Sequence, residues 1–445
     1  MSIPIWEVQF DKDANPVFPA QEGEILRQLT SPPANATTDV VVISHGWNND
    51  MEEARTLYRE FIRQLEKVTP AGKTISVIGI LWPSKKFAET ELIPGGAAAA
   101  GSDPALDAAL LDRLQELKHL FGEQEADEKL DRMKALVADL HKDPGKQNAF
   151  VALLGEIMDR HTDERQRSED EGRAKISERT DGAALLKSFS HPIGAARADV
   201  GAGGAARRPG GGLGGNPALG GAGAAAGFGD FLSGIKAGAM RLLNLTTYYA
   251  MKDRSGKVGR DGVNPMLSRI QSRLPASIRF HLVGHSFGGR LVTAAVDGPN
   301  KLRVQTLLLL QAAYSHNALA KDFDSHGKDG FFHSVLEQSK VAGPILITHS
   351  KHDKAVGLAY PLASRLNGDD AAAFGGPDDR FGGMGANGAQ HVDRADGVLL
   401  KAGAAYDFKT SGKRVFNLNG DALITNHGNV ALPETAYVLA AAMSL

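Results

Sequence analysis

The 445-residue chain contains no cysteine. This excludes disulfides, thiolate metal sites and a cysteine nucleophile, and leaves the compartment open. A charge excess is also missing: 50 basic residues face 52 acidic ones, for a formal net charge of -2. No overall field draws the chain toward nucleic acid or anionic lipid, so no nucleic-acid partner is expected. Long apolar runs are absent too. None approaches the ~20 residues needed to cross a bilayer, and no integral membrane segment is expected. The N-terminal stretch "MSIPIWEVQFDKDANP" has no basic region followed by an apolar one. The expectation is therefore a cytoplasmic protein, with export routes that use no cleaved signal left open.

A hydrophobic content of 42% is enough to bury one large core or two ordinary ones. Apolar runs read as strands at 39–44 (DVVVIS), 75–84 (ISVIGILWPS), 278–284 (IRFHLVG), 304–311 (VQTLLLLQ), 344–350 (PILITHS) and 414–419 (RVFNLN). The first is followed by "HGWNND" and then by "MEEARTLYREFIRQLEKV", apolar at helical spacing. Continuous apolar strands alternating with helices predict an α/β fold: a mostly parallel central sheet with helices on both faces. Roughly 190 residues separate the second and third runs, where a crossover needs only about a dozen. An insertion is therefore expected at 85–244, between core segments 1–84 and 245–445. Its first half, about 104 to 180, has helical periodicity. Its second half contains a Gly- and Ala-rich segment at 197–230 that cannot bury enough side chain to offset chain entropy and reads as a mobile lid or linker. A second Gly-rich insertion lies at 367–390.

The chemistry concentrates in "FHLVGHSFGGRLVTAAVDG", where Gly284, His285, Ser286, Phe287 and Gly288 spell G-x-S-x-G between a buried strand and a helical pattern. A tight strand-to-helix turn needs small residues two before and two after its apex, and it holds the hydroxyl clear of the sheet near a helix N-terminus. Ser286 is the expected nucleophile. Such a serine needs a base as it attacks, and an acid to hold that base, in the chain order Ser, acid, His. Asp353 in "HSKHDKAVG" and His427 in "DALITNHGNV" each follow a strand at the edge where parallel sheets collect catalytic groups. Asp421, after the sixth run, is too close along the chain to replace the acid in that order. His349, His352 and His391 are expected to support the acid loop, and His285 to pack under the turn.

The oxyanion of a tetrahedral intermediate needs two N–H donors, one after the nucleophile and one on the loop after the first core strand. Phe287 and Trp47 are expected to supply them, with Gly46 letting the backbone approach the substrate. Tyr314 and Phe331, in the loop after the fourth run, are expected to form part of the substrate wall.

Together "VVVISHGWNND", "IGILWPS", "HLVGHSFGGRL", "THSKHDKAVG" and "NHGNV" resemble the α/β-hydrolase superfamily, in particular its bacterial serine esterases and lipases. The resemblance covers roughly residues 36–84 and 245–445. It implies an eight-stranded, mostly parallel sheet, a Ser–Asp–His triad, acyl transfer to water and no cofactor. The loop reads HGW where some esterase families carry HGGG, so that short-chain subgroup is not supported. No metal-ligand set is assigned, and no oligomeric state is indicated. The expected partner is a small-molecule or lipid ester. Two other readings stay open. One is a lipase or phospholipase at a lipid interface, such as a secreted antibacterial effector, with the insertion as its lid. The other is a non-catalytic scaffold whose insertion binds a protein, against which a complete triad argues.

Overall fold

Among the described residues, eight strands, all parallel, form one sheet: β1 (Ile5–Gln9), β2 (Asp39–Ser44), β3 (Ile75–Leu81), β4 (Arg279–His285), β5 (Thr306–Leu310), β6 (Ile345–His349), β7 (Arg394–Val398) and β8 (Val415–Asn419). Their spatial order is β1-β3-β2-β4-β5-β6-β8-β7. The computed structural model describes residues 2–31, 37–47, 49–84, 103–161, 176, 181–190, 234–353, 356 and 382–445. The Gly-rich segment at 197–230 lies outside the described residues, and the insertion at 367–390 is described only from 382 onward.

The six runs read as strands correspond to the six interior strands. β1 and β7 went unread, and both lie at borders of the sheet. In β2, β3 and β5 every residue is buried, because helices cover both faces and no position is left facing water. β1 (IWEVQ) and β7 (RADGV) keep partly or fully exposed positions, so their composition does not stand out from a loop.

Among the described residues, the helices are α1 (Ala20–Thr30), α2 (Met51–Val68), α3 (Asp103–Phe121), α4 (Gln124–Leu136), α5 (Pro144–His161), α6 (Gly182–Ser188), α7 (Ile235–Lys257, followed by a π-helical turn Val258–Val263), α8 (Asn264–Ser272), α9 (Phe287–Asp297), α10 (His333–Glu337), α11 (Met384–Asn387) and α12 (Pro433–Met443). The chain divides into two compact units. Met1–Phe87, Met158–Lys175 and Leu245–Leu445 make the first, Ala88–Ile157 and Ile176–Asn244 the second. In the second unit α3 and α4 pack through buried Leu110, Leu114, Leu117, Leu130 and Met133.

In the first unit, α2 starts on a capping box. The Asp50 carboxylate accepts from the N–H groups of Glu52 and Glu53 at 2.9 and 2.8 Å, and Glu53 accepts from Asp50 N–H at 3.0 Å. A cap of this kind is worth about 1 kcal/mol. The helix buries Tyr58, Phe61, Ile62 and Leu65 in a core shared with Val41, Ile43, Val283, Leu308 and Leu346 of the sheet and Val438, Leu439 and Met443 of α12. The alternate strand residues Val40, Val42, Phe280 and Leu282 are equally buried and face the other layer, where α9 packs on β2, β4 and β5.

The register of β2 on β4 is set by charge. Asp39 pairs with Arg279 across the ladder. Its fully buried carboxylate takes hydrogen bonds from Arg279 Nε at 2.9 Å, from His281 Nε2 at 2.9 Å and from Thr38 Oγ1 at 2.6 Å. A one-residue slip would strand that charge, which would cost several kcal/mol. The register therefore also fixes how the loop after β2 faces the turn after β4.

Candidate active site

Strand β4 ends in the interior of the sheet, between β2 and β5, and the next residue is Ser286. Ser286 has φ 57 and ψ -125, a region that side-chain-bearing residues avoid at a cost of order 1–3 kcal/mol. Neighbours impose it. Ser286 N–H donates to the Leu310 carbonyl at 3.0 Å, while the Ser286 carbonyl accepts from Gly289 N–H at 2.9 Å and Ala313 N–H at 3.1 Å. The flanking glycines are steric necessities: a Cβ on Gly284 would stand 2.3 Å from the Gly288 carbonyl oxygen, and one on Gly288 would stand 2.3 Å from that of Ser44. The chain leaves the turn directly into α9.

The loop after β6 carries Asp353, the loop after β8 carries His427, and the two side chains meet. His427 Nδ1–H donates to Asp353 Oδ2 at 2.8 Å; the carboxylate is fully buried and the imidazole 24% exposed. Asp353 Oδ1 accepts from Val356 N–H at 3.0 Å. Burial alone would raise the Asp353 pKa, but the charge and hydrogen bond of His427, together with the Val356 N–H, hold it below the ordinary carboxylate value. The residue before the serine reaches the same place: the His285 ring centroid lies 4.9 Å from that of His427, and His285 Nε2 is 2.8 Å from the His427 carbonyl oxygen.

The loop after β2 closes the third side. A Cβ on Gly46 would lie 2.6 Å from Ser286 Cβ, so only glycine lets this loop lie against the turn. Its shape is held by His45, whose ring stacks on Trp82 at 5.5 Å. His45 Nδ1–H donates to the Gly46 carbonyl at 2.9 Å, Nε2 accepts from Trp82 N–H at 3.3 Å, and Trp82 Nε1–H donates to the His45 carbonyl at 3.0 Å. Burial pushes the His45 pKa down to about 4, which keeps the ring neutral and its Nε2 free to accept. Trp47 follows on this loop, its ring 5.8 Å from Phe287 and 6.0 Å from Tyr248, with Phe287 and Tyr248 5.0 Å apart.

Sequence reasoning missed Gln311, which has φ 47 at the end of β5. Its Nε2–H group donates to Asp353 Oδ2 at 3.2 Å and to the Gly385 carbonyl at 2.9 Å, and its Oε1 accepts from Thr348 Oγ1 at 3.0 Å. A polar residue closing the apolar run LLLLQ is the one trace it leaves in the sequence.

Asp421 accepts from Lys351 N–H at 2.9 Å, on the loop that carries Asp353. His352 N–H donates to Ser350 Oγ at 3.2 Å, and Ser350 Oγ–H donates to the Ile424 carbonyl at 2.9 Å, tying the loops that carry Asp353 and His427 together. His391 is turned to Asn317 Oδ1, 2.8 Å from its Nδ1. Tyr314, expected in the substrate wall, is instead fully buried, with its hydroxyl 2.9 Å from Thr293 Oγ1 of α9 and its ring edge-on to Phe332. The chain turns inward after β5, and the aromatic there fills space under α9. Phe331 is half-buried against Phe332 at 4.8 Å.

Among the described residues, no cluster of three or more His, Asp or Glu side chains is arranged to hold a metal ion, and no helix is long and apolar enough to cross a membrane. Compared with protein-family models, with curated proteins and with solved structures, the chain matches none.

Proposed function

We propose that the chain is a serine hydrolase of the α/β-hydrolase type that cleaves carboxylic esters by acyl transfer through Ser286 to water. The observations that support this reading are the 2.8 Å His427–Asp353 hydrogen bond and a serine held in a strained strand-to-helix turn directly after His285, whose ring centroid lies 4.9 Å from that of His427. Ser286 Oγ attacks the ester carbonyl carbon while its proton passes to His427 Nε2. Asp353 holds the ring with Nδ1 protonated and stabilises the imidazolium. The N–H groups of Phe287 and Trp47 receive the oxyanion, and collapse of the intermediate expels the alcohol with the proton returned from His427. Water then attacks the acyl-enzyme by the same proton route and releases the acid.

The test is hydrolysis of p-nitrophenyl esters of increasing chain length, run beside phospholipid vesicles, with Ser286→Ala as control. A fluorophosphonate that labels the native protein and spares Ser286→Ala is expected. Ester turnover that persists in Ser286→Ala would place the nucleophile elsewhere, and vesicle turnover far above that of soluble esters would move the substrate class to lipids.

A further inference from the structure

We propose that His285 is a positioning residue for the reaction: its neutral ring clamps the main chain of the base loop to the nucleophile turn and so sets where the His427 imidazole stands relative to Ser286. The inference rests on the serine hydrolase reading and adds to it a residue outside the expected triad.

The reasoning starts from what Asp353 cannot do. Its bond to Nδ1 fixes the rotation of the His427 ring, but a ring is only as well placed as the backbone that carries it. That backbone is a surface loop. Thr425, Asn426 and Gly428, on both sides of His427, are exposed, and the nearest buried anchors are Ile424 and Val430. Local turns shape the loop, with Asn426 Oδ1 accepting from Gly428 and Asn429 N–H at 3.0 Å each, but bonds within a loop do not locate it against the sheet.

His285 supplies that location. Its side chain crosses from the last residue of β4 to the His427 carbonyl, 2.8 Å from Nε2. A carbonyl only accepts, so Nε2 carries the proton and Nδ1 carries the lone pair. Nδ1 is buried, has no hydrogen-bond partner among the described residues, and lies 3.2 Å from where a Cβ on Gly46 would be. One ring thus joins the turn that bears the nucleophile to the base loop through its carbonyl, and stands close enough to the loop after β2 that a Cβ on Gly46 would crowd it. Burial, reinforced by the neighbouring His427, pushes the His285 pKa down to about 3. The ring therefore stays neutral while His427 takes up a proton in turnover, and the clamp persists through the cycle.

The experiment compares His285→Gln, whose amide reaches about as far as Nε2 and can donate, with His285→Met, of similar length and unable to donate. kcat and KM are measured on the best p-nitrophenyl ester, with thermal melting alongside. The low-field His427 Nδ1–H resonance is followed in [15N]histidine-labelled protein. His285→Met should lose about tenfold to a hundredfold in kcat, as expected for a misplaced catalytic group, with KM nearly unchanged and the low-field proton broadened by exchange. His285→Gln should retain both kcat and the resonance. Should His285→Met fail to fold, His285→Asn, one methylene short of the carbonyl, replaces it with the same expectation.

Wild-type kcat and an unaltered resonance in His285→Met, or equal losses in Met and Gln variants, would overturn the clamp. Failure of the hydrolase reading looks different: native protein and Ser286→Ala would then behave alike toward esters and fluorophosphonate, while the resonance comparison still decides whether His285 orders His427.

Discussion

The Nδ1 atom of His427 lies 2.8 Å from Oδ2 of Asp353, although 74 positions of chain separate them. Two parallel strands, β6 and β8, are neighbours in the sheet, with His349 opposite Asn419, so the loops that leave them emerge side by side. The pairing follows from sheet order and register more than from any local sequence preference.

Asp353→Asn is expected to keep the fold and lose activity. The amide would present a donor or a weak acceptor to Nδ1 and favour the wrong imidazole tautomer, so kcat should fall by about 10⁴-fold with little change in KM. Steady-state kinetics on the best ester checks this, and a loss under tenfold would show that Asp353 does not orient the base.

Ser286→Gly and Ser286→Ala both remove the hydroxyl, and only glycine also relieves a φ of 57. Even after its larger unfolded-state entropy is counted, the glycine variant should be more stable than the alanine variant by about 1 kcal/mol, and both should be inactive. Urea unfolding of the pair gives the difference directly. Equal stabilities would mean that the turn stores no strain.

Gly288→Ala places a methyl 2.3 Å from the Ser44 carbonyl oxygen and 2.4 Å from that of His45. The loop bearing Gly46 must retreat from Ser286. We expect a stability loss of about 1–3 kcal/mol and a fall in kcat larger than that loss explains at temperatures where the protein is folded. Melting curves read beside kcat separate the two effects.

Stability should fall as pH drops through 6.5. Burial lowers the pKa of His45 to about 4 and of His285 to about 3, from an ordinary value of 6.5, and it lowers those of His281 and His349 as well. Below 6.5 the unfolded chain takes up protons that the native rings refuse. Their contribution is whole above that pH and is lost progressively down to the native values. Asp39 and Asp353 are depressed from 3.8, so their contributions are present above 3.8 and fall away only at lower pH, as the native values are passed. Urea midpoints at about pH 7.5 and about pH 5 should therefore differ, with His285→Gln shrinking the difference by the equivalent of about one proton. Identical midpoints at both values would contradict the neutral, buried placement of these rings.

The parts of this molecule legible in its sequence are those where burial is two-sided. DVVVIS, ISVIGIL and TLLLL announce themselves because no position in them faces water. IWEVQ and RADGV do not, because a border strand needs an apolar partner on fewer sides and RADGV has hardly any apolar side chain to show. The same division runs through the candidate site. Ser286, Asp353 and His427 are readable as polar residues at the ends of buried strands. Gln311 and His285 are not, since their contacts depend on where a side chain turns: the first at a positive φ, the second across to another loop's carbonyl. Tyr314 is a case where residue type misled, because an aromatic after a strand suits a pocket wall and a packing site equally well.

The contact between Asp39 and Arg279 closes across 240 positions of chain. The entropy of closing a loop grows only with the logarithm of its length, so a connection of this size costs about 2–3 kcal/mol more than a dozen-residue crossover. The ladder that begins at this pair, running from Asp39 opposite Arg279 to Ser44 opposite Gly284, offsets that sum. The whole second unit can thus be spliced between β3 and β4 at small thermodynamic cost, and its toll falls on kinetics: β2 must wait for β4, which makes strand pairing at the centre of the sheet a late and slow event in folding.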